Sequence, residues 1–201
     1  MTDTKHPQAS SSEATTVHAT PRQAPEPAPS SDRPVVLVGL MGAGKSTVGR
    51  RLAQIMDRSF VDADDAIEDA AQRSLPEIFE EFGETYFRDG ERRVIARLMD
   101  ESKGVIATGG GAFVDPQTRA LILQRGIAVW IDCDIDTLVE RTSRRDHRPL
   151  LKTGDPRKIL TRLLEERRPA YEQAHIRVTS QNGPRGDTAQ AIARRIEKWT
   201  R

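Results

Sequence analysis

The sequence predicts an α/β domain in which helices cover both faces of a five-stranded parallel sheet. Short apolar runs alternate along the chain with longer stretches of helical periodicity, which is the pattern of consecutive β–α units. Segments rich in glycine or in charged residues directly follow several of the apolar runs. Ligands bind beyond the carboxyl ends of the strands in such sheets, so the same pattern predicts where a functional site lies.

Apolar runs and periodic stretches define the predicted elements. The first run, Val35–Val38, is continuously aliphatic, as expected for a buried strand, and Val48, Leu52 and Ile55 repeat at helical spacing after it. The predicted strands are 35–38, 60–61, 104–108, 127–133 and 176–179. The predicted helices are 45–56, 74–82, 89–101, 116–124, 135–144, 155–172 and 187–200.

Residues 1–33 differ in composition from the rest of the chain. They contain no Ile, Leu, Phe, Tyr or Trp, and five prolines lie among many Ser, Thr, Ala and Gln residues. Such a segment buries too little apolar surface to offset the entropy lost on ordering. It also lacks the apolar core of a secretory signal peptide. We therefore expect a disordered extension over 1–33, with no assignable role, and one folded domain over 34–201.

The composition argues against several classes of protein. A formal net charge of +1 gives no global preference for nucleic acid, and no apolar stretch approaches the ~18 residues of a membrane span. The single cysteine, Cys133, excludes an internal disulfide and a cysteine-based zinc site, which suits a reducing cytoplasm. Cys133 ends an apolar run and is interpreted as a packing residue. We expect a cytoplasmic protein that binds neither nucleic acid nor membranes.

Residues 39–47 read Gly-Leu-Met-Gly-Ala-Gly-Lys-Ser-Thr and match the phosphate-binding pattern G-x-x-x-x-G-K-[ST]. Glycines let successive backbone N–H groups point at nucleotide phosphates. Lys45 can reach the β- and γ-phosphates, and the Ser46 hydroxyl can bind Mg²⁺. The strand before the loop and the helix after it aim the positive end of the helix dipole at the phosphates. We therefore predict a binding site for a nucleoside triphosphate, formed by Gly42, Ala43, Gly44, Lys45, Ser46 and Thr47, rather than a chance glycine-rich turn.

Asp62 and Asp64 follow the second predicted strand. Alternation along a strand would place both carboxylates on the same side, near the phosphate-binding loop. One carboxylate can hold Mg²⁺ through water, and the other can accept a proton from a substrate hydroxyl. A solvated acidic turn is an equally good explanation of these residues alone. Asp65 is assigned to the cap or first turn of a helix beginning near Ala66.

Two further features suit an anionic substrate. Arg88 precedes an amphipathic stretch, and its guanidinium can donate two parallel hydrogen bonds to a carboxylate or phosphate, although for Arg88 taken alone a surface role is the better explanation. Gly109, Gly110 and Gly111 directly follow a strand, so the backbone there turns sharply or approaches something closely. We interpret the glycines as substrate contacts; a flexible strand-to-helix connection is the alternative.

Residues 141–168 hold ten Lys or Arg residues against four Asp or Glu. A mobile basic flap that closes over a triphosphate would neutralise charge at the γ-phosphoryl group and exclude water. A solvated face or a nucleic-acid patch would show the same excess of charge. No aromatic residue lies between positions 131 and 170, which argues against nucleic acid.

In their order and spacing these motifs resemble those of the shikimate kinase family, enzymes that phosphorylate the 3-hydroxyl of shikimate with ATP. The resemblance extends from Pro34 to the last predicted helix. It rests on G-x-x-G-x-G-K-[ST] at 39–46, D-x-D at 62–64, F-R at 87–88, G-G-G at 109–111, R-P-L-L at 148–151 and R-x-P-x-Y at 167–171.

The resemblance implies a three-layer P-loop kinase fold with a mobile lid over about residues 142–155. It implies that Asp62 positions Mg²⁺ together with Ser46, so Asp62 is preferred to Asp132, which also ends a predicted strand. Arg141 is expected near the adenine. The implied catalytic residues are Lys45, Asp64 and Arg148, the last of which would approach the transferring phosphate and contact ATP. The implied shikimate-binding residues are Asp64, Arg88, Gly109, Gly110, Gly111 and Arg167.

Arg168 adjoins Arg167, and the spacing to Pro169 favours Arg167 as the carboxylate ligand. The resemblance further implies a monomeric enzyme of the shikimate pathway, which supplies aromatic amino acids. Three alternatives remain: another small-molecule kinase of this fold, such as a gluconate or nucleotide kinase, a non-catalytic nucleotide-binding regulatory protein, and a nucleic-acid-binding ATPase. The D-x-D carboxylates would repel the phosphate of a nucleotide acceptor unless a metal intervenes. The intact acceptor-side residues argue against a regulatory protein.

Overall fold

A computed structural model describes residues 32–143, 154–180 and 185–201. The strands are β1 (Val35–Val38), β2 (Phe60–Asp62), β3 (Val105–Ala107), β4 (Ile127–Cys133) and β5 (Ile176–Ser180). The helices are α1 (Lys45–Met56), α2 (Ala63–Ala71), α3 (Leu75–Glu101), α4 (Pro116–Arg125), α5 (Ile135–Ser143), α6 (Pro156–Tyr171) and α7 (Arg185–Trp199). None of the helices in these ranges combines the length and apolar character needed to cross a bilayer.

The five strands form one parallel sheet in the order β2-β3-β1-β4-β5, which confirms the predicted sheet. β1 lies at its centre, with Val35 aligned with Val105 of β3 on one side and with Ile127 of β4 on the other. The chain leaves β1 toward one half of the sheet and later returns to the other half. A crevice for ligands is expected at such a switch point, beyond the carboxyl end of β1.

Alternate residues of the central strands pack on opposite faces of the sheet, which produces three layers. Leu37 belongs to a buried cluster with Leu52 of α1 and Ile192 of α7. Val36 belongs to a second buried cluster on the other face, with Ile95 of α3. Strands that are buried on both faces appear in the sequence as continuous apolar runs. The predicted strand positions are therefore close to the observed ones.

α3 is bent at Gly83, whose φ of 78° and ψ of 176° lie outside the helical region and favour glycine. Phe79 before the bend and Phe87 after it stack with their ring centroids 4.2 Å apart. The sequence analysis predicted two helices separated by residues 83–88. That prediction was wrong about the length of the interruption, because one glycine absorbs the change of direction and the helix resumes at once.

α2 begins at Ala63, directly after β2 and three residues before the predicted start. Asp62 caps this helix: its Oδ1 accepts a hydrogen bond from the backbone N–H of Asp64 at 3.2 Å. Asp64 therefore lies in the first turn of a helix. The argument from strand alternation was wrong for this residue, because an aspartate at a strand end is also a preferred helix cap.

The predicted lid lies mostly outside the described residues. α5 ends at Ser143, and α6 begins after Asp155, whose side chain accepts a hydrogen bond from the N–H of Arg157. Residues 144–153, which include Arg148, are outside the described ranges. α6 contains Pro169 and ends two residues later, close to the predicted end of the helix.

Residues 1–31 of the predicted extension are also outside the described ranges. Arg33, at the end of that segment, contacts the domain: its Nη2 donates to the carbonyl oxygen of Leu123 at 2.8 Å. The Arg33 guanidinium also lies over the ring of Trp199 at the end of α7. The chain is therefore already in contact with the domain before β1 begins.

Gly49 lies in α1 where the helix packs against the sheet. A Cβ atom there would lie 2.5 Å from Cε2 of Phe60 and 3.1 Å from Cδ1 of Leu37. Alanine gains about 1 kcal/mol of helix propensity, whereas overpacking of a core costs about 1–3 kcal/mol. We expect Gly49→Ala to lower the free energy of unfolding by up to about 2 kcal/mol in urea denaturation.

Gly90 in α3 provides the matched control, because no atom lies within 4 Å of the position of its Cβ. Gly90→Ala is expected to raise the free energy of unfolding by up to about 1 kcal/mol. A Gly49→Ala variant as stable as Gly90→Ala would contradict the close packing of α1 on β1 and β2.

Candidate active site

A cavity of about 1150 Å³ opens at the carboxyl ends of the central strands. It joins the loop after β1, the acidic turn after β2 and the glycines after β3 to side chains of α3, α5 and α6. The predicted site residues that line it are Gly42, Gly44, Lys45, Ser46, Thr47, Asp62, Asp64, Arg88, Gly109, Gly110, Gly111, Arg141 and Arg167. Ala43 does not line the cavity, because its side chain is buried in the core.

The loop after β1 leaves the start of α1 open to an anion. Gly44 is the N-cap of α1 and has a φ of 93°, in the region that favours glycine. Among the described residues no side chain caps this end of the helix, and its first turn has no acidic residue. Backbone N–H groups at a helix N-terminus and the positive end of the dipole together favour a bound phosphate.

Two cations flank this loop. The ammonium group of Lys45 donates to the carbonyl oxygens of Gly39 at 2.8 Å and Leu40 at 3.1 Å, and so lies across the loop. From α5, Nη1 of Arg141 donates to the carbonyl oxygen of Ala43 at 3.3 Å. Both side chains also line the cavity. The loop therefore combines backbone donors with two positive charges, which suits a polyanion.

Asp64 is a carboxylate of the acidic turn whose surroundings change its pKa. Burial raises its pKa above the usual range for aspartate, and the negative charge of Asp62 acts in the same direction. The ammonium group of Lys45 opposes the shift. A carboxylate whose pKa is raised toward neutrality is a better proton acceptor at working pH than an exposed aspartate.

Arg88 is held by two carboxylates of its own helix. Its Nη1 lies 2.6 Å from Oε2 of Glu91, which is only 1% exposed. Its Nη2 lies 3.3 Å from Oε1 of the exposed Glu84. Burial raises the pKa of Glu91, although Arg88 opposes this. The buried ion pair fixes the orientation of the Arg88 guanidinium. Arg88 also lines the cavity.

Glu91 was not among the site residues predicted from the sequence. A signal was present, since Glu91 lies four residues after Phe87 and four before Ile95, both of which are buried. A carboxylate at an apolar position of an amphipathic helix predicts a buried partner, and Arg88 lies one turn away.

The glycines at 109–111 lie against charged side chains. Cβ atoms at the three positions would lie, in order, 2.8 Å from Oδ1 of Asp64, 3.5 Å from Nη1 of Arg167 and 2.4 Å from Nη2 of Arg88. Two of these distances are too short for real Cβ atoms. The bare backbone is thus required for close approach, whereas the flexible-connection alternative does not account for these contacts.

Arg167 and Tyr171 both reach this stretch from α6. Nη1 of Arg167 donates to the carbonyl oxygen of Gly110 at 3.1 Å, and the Tyr171 hydroxyl donates to the same oxygen at 2.6 Å. Arg168 instead lies over the ring of Trp130, away from the cavity lining. No role was predicted for Tyr171, although it ends the R-x-P-x-Y motif.

The last two residues of β4 have structural roles. Asp132 is paired with Arg177 of β5, with Nη2 and Oδ2 2.6 Å apart, and does not line the cavity. Burial raises the pKa of the Cys133 thiol to about 11, so the thiol is neutral at neutral pH, as expected for a packing residue. Asp62 remains the better-placed carboxylate for a metal ion.

Ser46 and Asp62 are suitable ligands for Mg²⁺. Both line the cavity beside the phosphate-binding loop and offer oxygen atoms. Within the described ranges, no group of three or more His, Cys, Asp or Glu side chains could hold a metal ion by itself. This donor set fits Mg²⁺, which keeps several waters and takes one or two protein ligands together with substrate phosphates.

A family model described as shikimate kinase matches residues 41–199. The chain belongs to the shikimate kinase family. A shikimate kinase of Novosphingobium aromaticivorans is 62% identical over 171 residues, which cover 83% of this chain and 89% of the relative. The structure of shikimate kinase from Acinetobacter baumannii in complex with shikimate matches with a TM-score of 0.78 at 40% identity, covering 83% of this chain and 93% of that one. The predicted resemblance and P-loop kinase fold are confirmed.

A gluconokinase from Sinorhizobium meliloti also matches, with a TM-score of 0.59 at 16% identity, covering 85% of this chain and 95% of that one. At this identity the likeness concerns the fold alone. The alternative prediction of a gluconate kinase therefore gains no support from it.

The buried charge of Asp64 predicts a stabilising substitution. Because burial raises the pKa of Asp64, ionisation of this side chain costs more free energy in the folded state than in the unfolded chain, where the pKa of an aspartate is about 3.9. This cost is fully present at pH values above the folded-state pKa, and it disappears at pH values below the unfolded-state pKa. We expect Asp64→Asn to raise the free energy of unfolding at neutral pH, by an amount that shrinks as the pH is lowered.

Urea denaturation at neutral pH and at mildly acidic pH checks this. Asp69→Asn, an exposed change in the same helix, is the control and is expected to alter the free energy of unfolding by less than about 0.5 kcal/mol. A less stable Asp64→Asn protein at neutral pH would show that the attraction of Lys45 outweighs the cost of burial.

Proposed function

We propose that the protein transfers the γ-phosphoryl group of ATP to the 3-hydroxyl of shikimate, giving shikimate 3-phosphate and ADP. The observation that carries the proposal is the convergence of Arg88 and Arg167 on residues 109–111, in the cavity that also contains the phosphate-binding loop. Membership of the shikimate kinase family supports the same reaction. The reaction belongs to the shikimate pathway, which leads to aromatic amino acids.

In the proposed acceptor half, Arg88 and Arg167 bind the carboxylate of shikimate. The two guanidiniums come from different helices and lie beside neighbouring glycines, Gly110 and Gly111, so they can bind a planar carboxylate through several N–H donors. Asp64 accepts a hydrogen bond from a ring hydroxyl. Phe79 and Phe87 line the same half and supply apolar surface for the ring carbons.

In the proposed nucleotide half, backbone N–H groups of residues 42–47 hold the phosphates of ATP. Lys45 approaches the β- and γ-phosphates, and Arg141 lies toward the adenine. Ser46 and Asp62 would hold Mg²⁺, which neutralises phosphate charge when bound. Arg148 is proposed to approach the γ-phosphate from the lid; it lies outside the described residues, and its role follows from the sequence motif at 148–151.

The transfer is proposed to proceed in line. The 3-hydroxyl oxygen forms a bond to the γ-phosphorus, the bond to the β,γ-bridging oxygen breaks, and the hydroxyl proton passes to Asp64. Positioning and charge neutralisation supply most of the rate in phosphoryl transfer, so Lys45 and the orientation of the acceptor contribute more than base strength.

We further propose that the enzyme works as a monomer in the cytoplasm on small-molecule substrates. The described cavity contains acceptor-binding and nucleotide-binding residues from one chain, so the proposed chemistry needs no second subunit. A single buried cysteine accords with a reducing compartment. Light scattering of the purified protein tests the assembly state.

The acceptor is tested by ADP release with ATP and Mg²⁺ in the presence of shikimate, gluconate or a nucleoside monophosphate. We expect turnover with shikimate and formation of shikimate 3-phosphate, observed as a new phosphomonoester signal in phosphorus NMR. Turnover with another acceptor but not with shikimate would refute the proposed substrate. ATP binding without acceptor-dependent turnover would support a regulatory protein instead.

Neighbouring arginines on α6 give a matched test of carboxylate binding. Arg167→Ala is expected to raise the KM for shikimate about 10- to 100-fold, since a hydrogen bond to a charged group contributes about 1.5–3 kcal/mol. Arg88→Ala is likewise expected mainly to weaken shikimate binding. Arg168→Ala, which removes an equal charge outside the cavity lining, is the control and is expected to leave this KM within about twofold. Equal effects of the two α6 substitutions would contradict the assignment.

Lys45 and Asp64 are expected to affect turnover. Lys45→Ala is expected to lower kcat at least about 10²-fold, because a fixed cation at the transferring phosphoryl group is lost. Asp64→Asn is expected to lower kcat about 10²- to 10⁴-fold while leaving the protein folded, as circular dichroism verifies. An Asp64→Asn enzyme with unchanged kcat would remove the proposed role of that carboxylate.

A further inference from the structure

The carbonyl oxygen of Gly110 is the meeting point of two α6 side chains. It accepts hydrogen bonds from Nη1 of Arg167 at 3.1 Å and from the Tyr171 hydroxyl at 2.6 Å. A carbonyl oxygen has two lone pairs, so these donors satisfy it. Arg167 and Tyr171 are four residues apart and therefore lie on the same face of the helix.

Tyr171 is fixed much more firmly than Arg167. Its side chain is only 1% exposed and its ring stacks on Trp130 of β4, which is equally buried, with centroids 5.8 Å apart. Burial raises the pKa of the hydroxyl, so it stays protonated and donates at neutral pH. The 2.6 Å separation is at the short end of the range for hydroxyl–oxygen hydrogen bonds.

The backbone that this hydroxyl holds also contacts the phosphate-binding loop. A Cβ atom at Gly110 would lie 3.4 Å from the backbone nitrogen of Met41 and 3.7 Å from the carbonyl oxygen of Gly39. Gly110 therefore lies beside the phosphate-binding loop. On the side of α6 its carbonyl is held by hydrogen bonds from Arg167 and Tyr171.

We propose that Tyr171 is a positioning residue, which orients Arg167 for the substrate carboxylate by holding the Gly110 carbonyl; this rests on the function proposed above. Nη1 of Arg167 donates a hydrogen bond to that carbonyl oxygen. The direction of the carbonyl therefore sets the direction of the remaining N–H groups of the planar guanidinium. Without the hydroxyl, of the two α6 donors only Arg167 would still hold the carbonyl. Tyr171 itself touches no substrate, since its hydroxyl points at the backbone behind the cavity surface.

Tyr171→Phe tests the proposal because it removes the hydroxyl and keeps the buried ring. We expect the KM for shikimate to rise about 3- to 10-fold, the range for loss of one hydrogen bond, with the KM for ATP unchanged. The matched control is Tyr86→Phe, the same chemical change at the chain's other tyrosine, which is 51% exposed and outside the cavity lining. It is expected to change neither constant.

A double-mutant cycle separates positioning from a merely structural role. If Tyr171 acts through Arg167, the effect of Tyr171→Phe on shikimate KM falls below about twofold in an Arg167→Ala background, because the shared step is already lost. The same multiplicative effect in both backgrounds would overturn the proposal. So would a Tyr171→Phe protein that is less stable in urea but has an unchanged KM for shikimate.

The unsubstituted protein distinguishes this inference from the proposed function. Absence of shikimate-dependent ADP release by that protein refutes the function, and with it the inference. Normal activity of the unsubstituted protein together with unchanged shikimate KM in Tyr171→Phe refutes only the role of Tyr171. Isothermal titration of shikimate into each variant gives the same comparison without turnover.

Discussion

Charged side chains of three helices lie against the glycine backbone at 109–111, and at Gly109 and Gly111 they are closer than a Cβ atom would permit. Asp64 reaches it from α2, Arg88 from α3 and Arg167 from α6, and each lies against a different glycine. Any other residue at Gly109 or Gly111 would push one of these groups away. The relative positions of an acid and two guanidiniums, and hence the shape of the acceptor half, depend on this absence of side chains.

That arrangement brings carboxylates into a poorly hydrated environment. Burial raises the pKa of both acids, Glu91 and Asp64. They differ in their surroundings: Glu91 is almost fully buried and is committed to an ion pair with Arg88 at 2.6 Å. Asp64 lies at the acidic turn beside the phosphate-binding loop, where a raised pKa would suit the proton exchange proposed above. A buried carboxylate of this kind is expected to cost stability, as is common at active sites.

Local signals in the sequence predicted much of the fold and part of the site. The phosphate-binding loop was recognisable because its residues are contiguous, and the buried strands were recognisable because both faces are apolar. Asp62 and Asp64 were correctly expected near the loop, but by an argument from strand alternation that fails, because a helix begins at Ala63. The helix cap formed by Asp62 is a local feature, so the start of α2 at Ala63 was predictable from the sequence.

Contacts between distant segments were not predictable in the same way. The pairing of Tyr171 with Gly110 joins residues 61 positions apart, and nothing in the spacing of either segment specifies it. The Glu91–Arg88 pair is local, yet its significance depends on burial, which α3 acquires only by packing on the sheet. Arg148 illustrates a third case: its proposed role follows from a sequence motif, and it lies outside the described residues.

The bend in α3 has a consequence for the apolar part of the cavity. In a straight helix Phe79 and Phe87, eight residues apart, would be separated by about 12 Å along the axis, yet their rings stack at 4.2 Å. The torsion angles of Gly83 therefore bring the two rings together into one continuous aromatic surface of the cavity lining. The continuity of this surface thus depends on a residue that does not itself line the cavity.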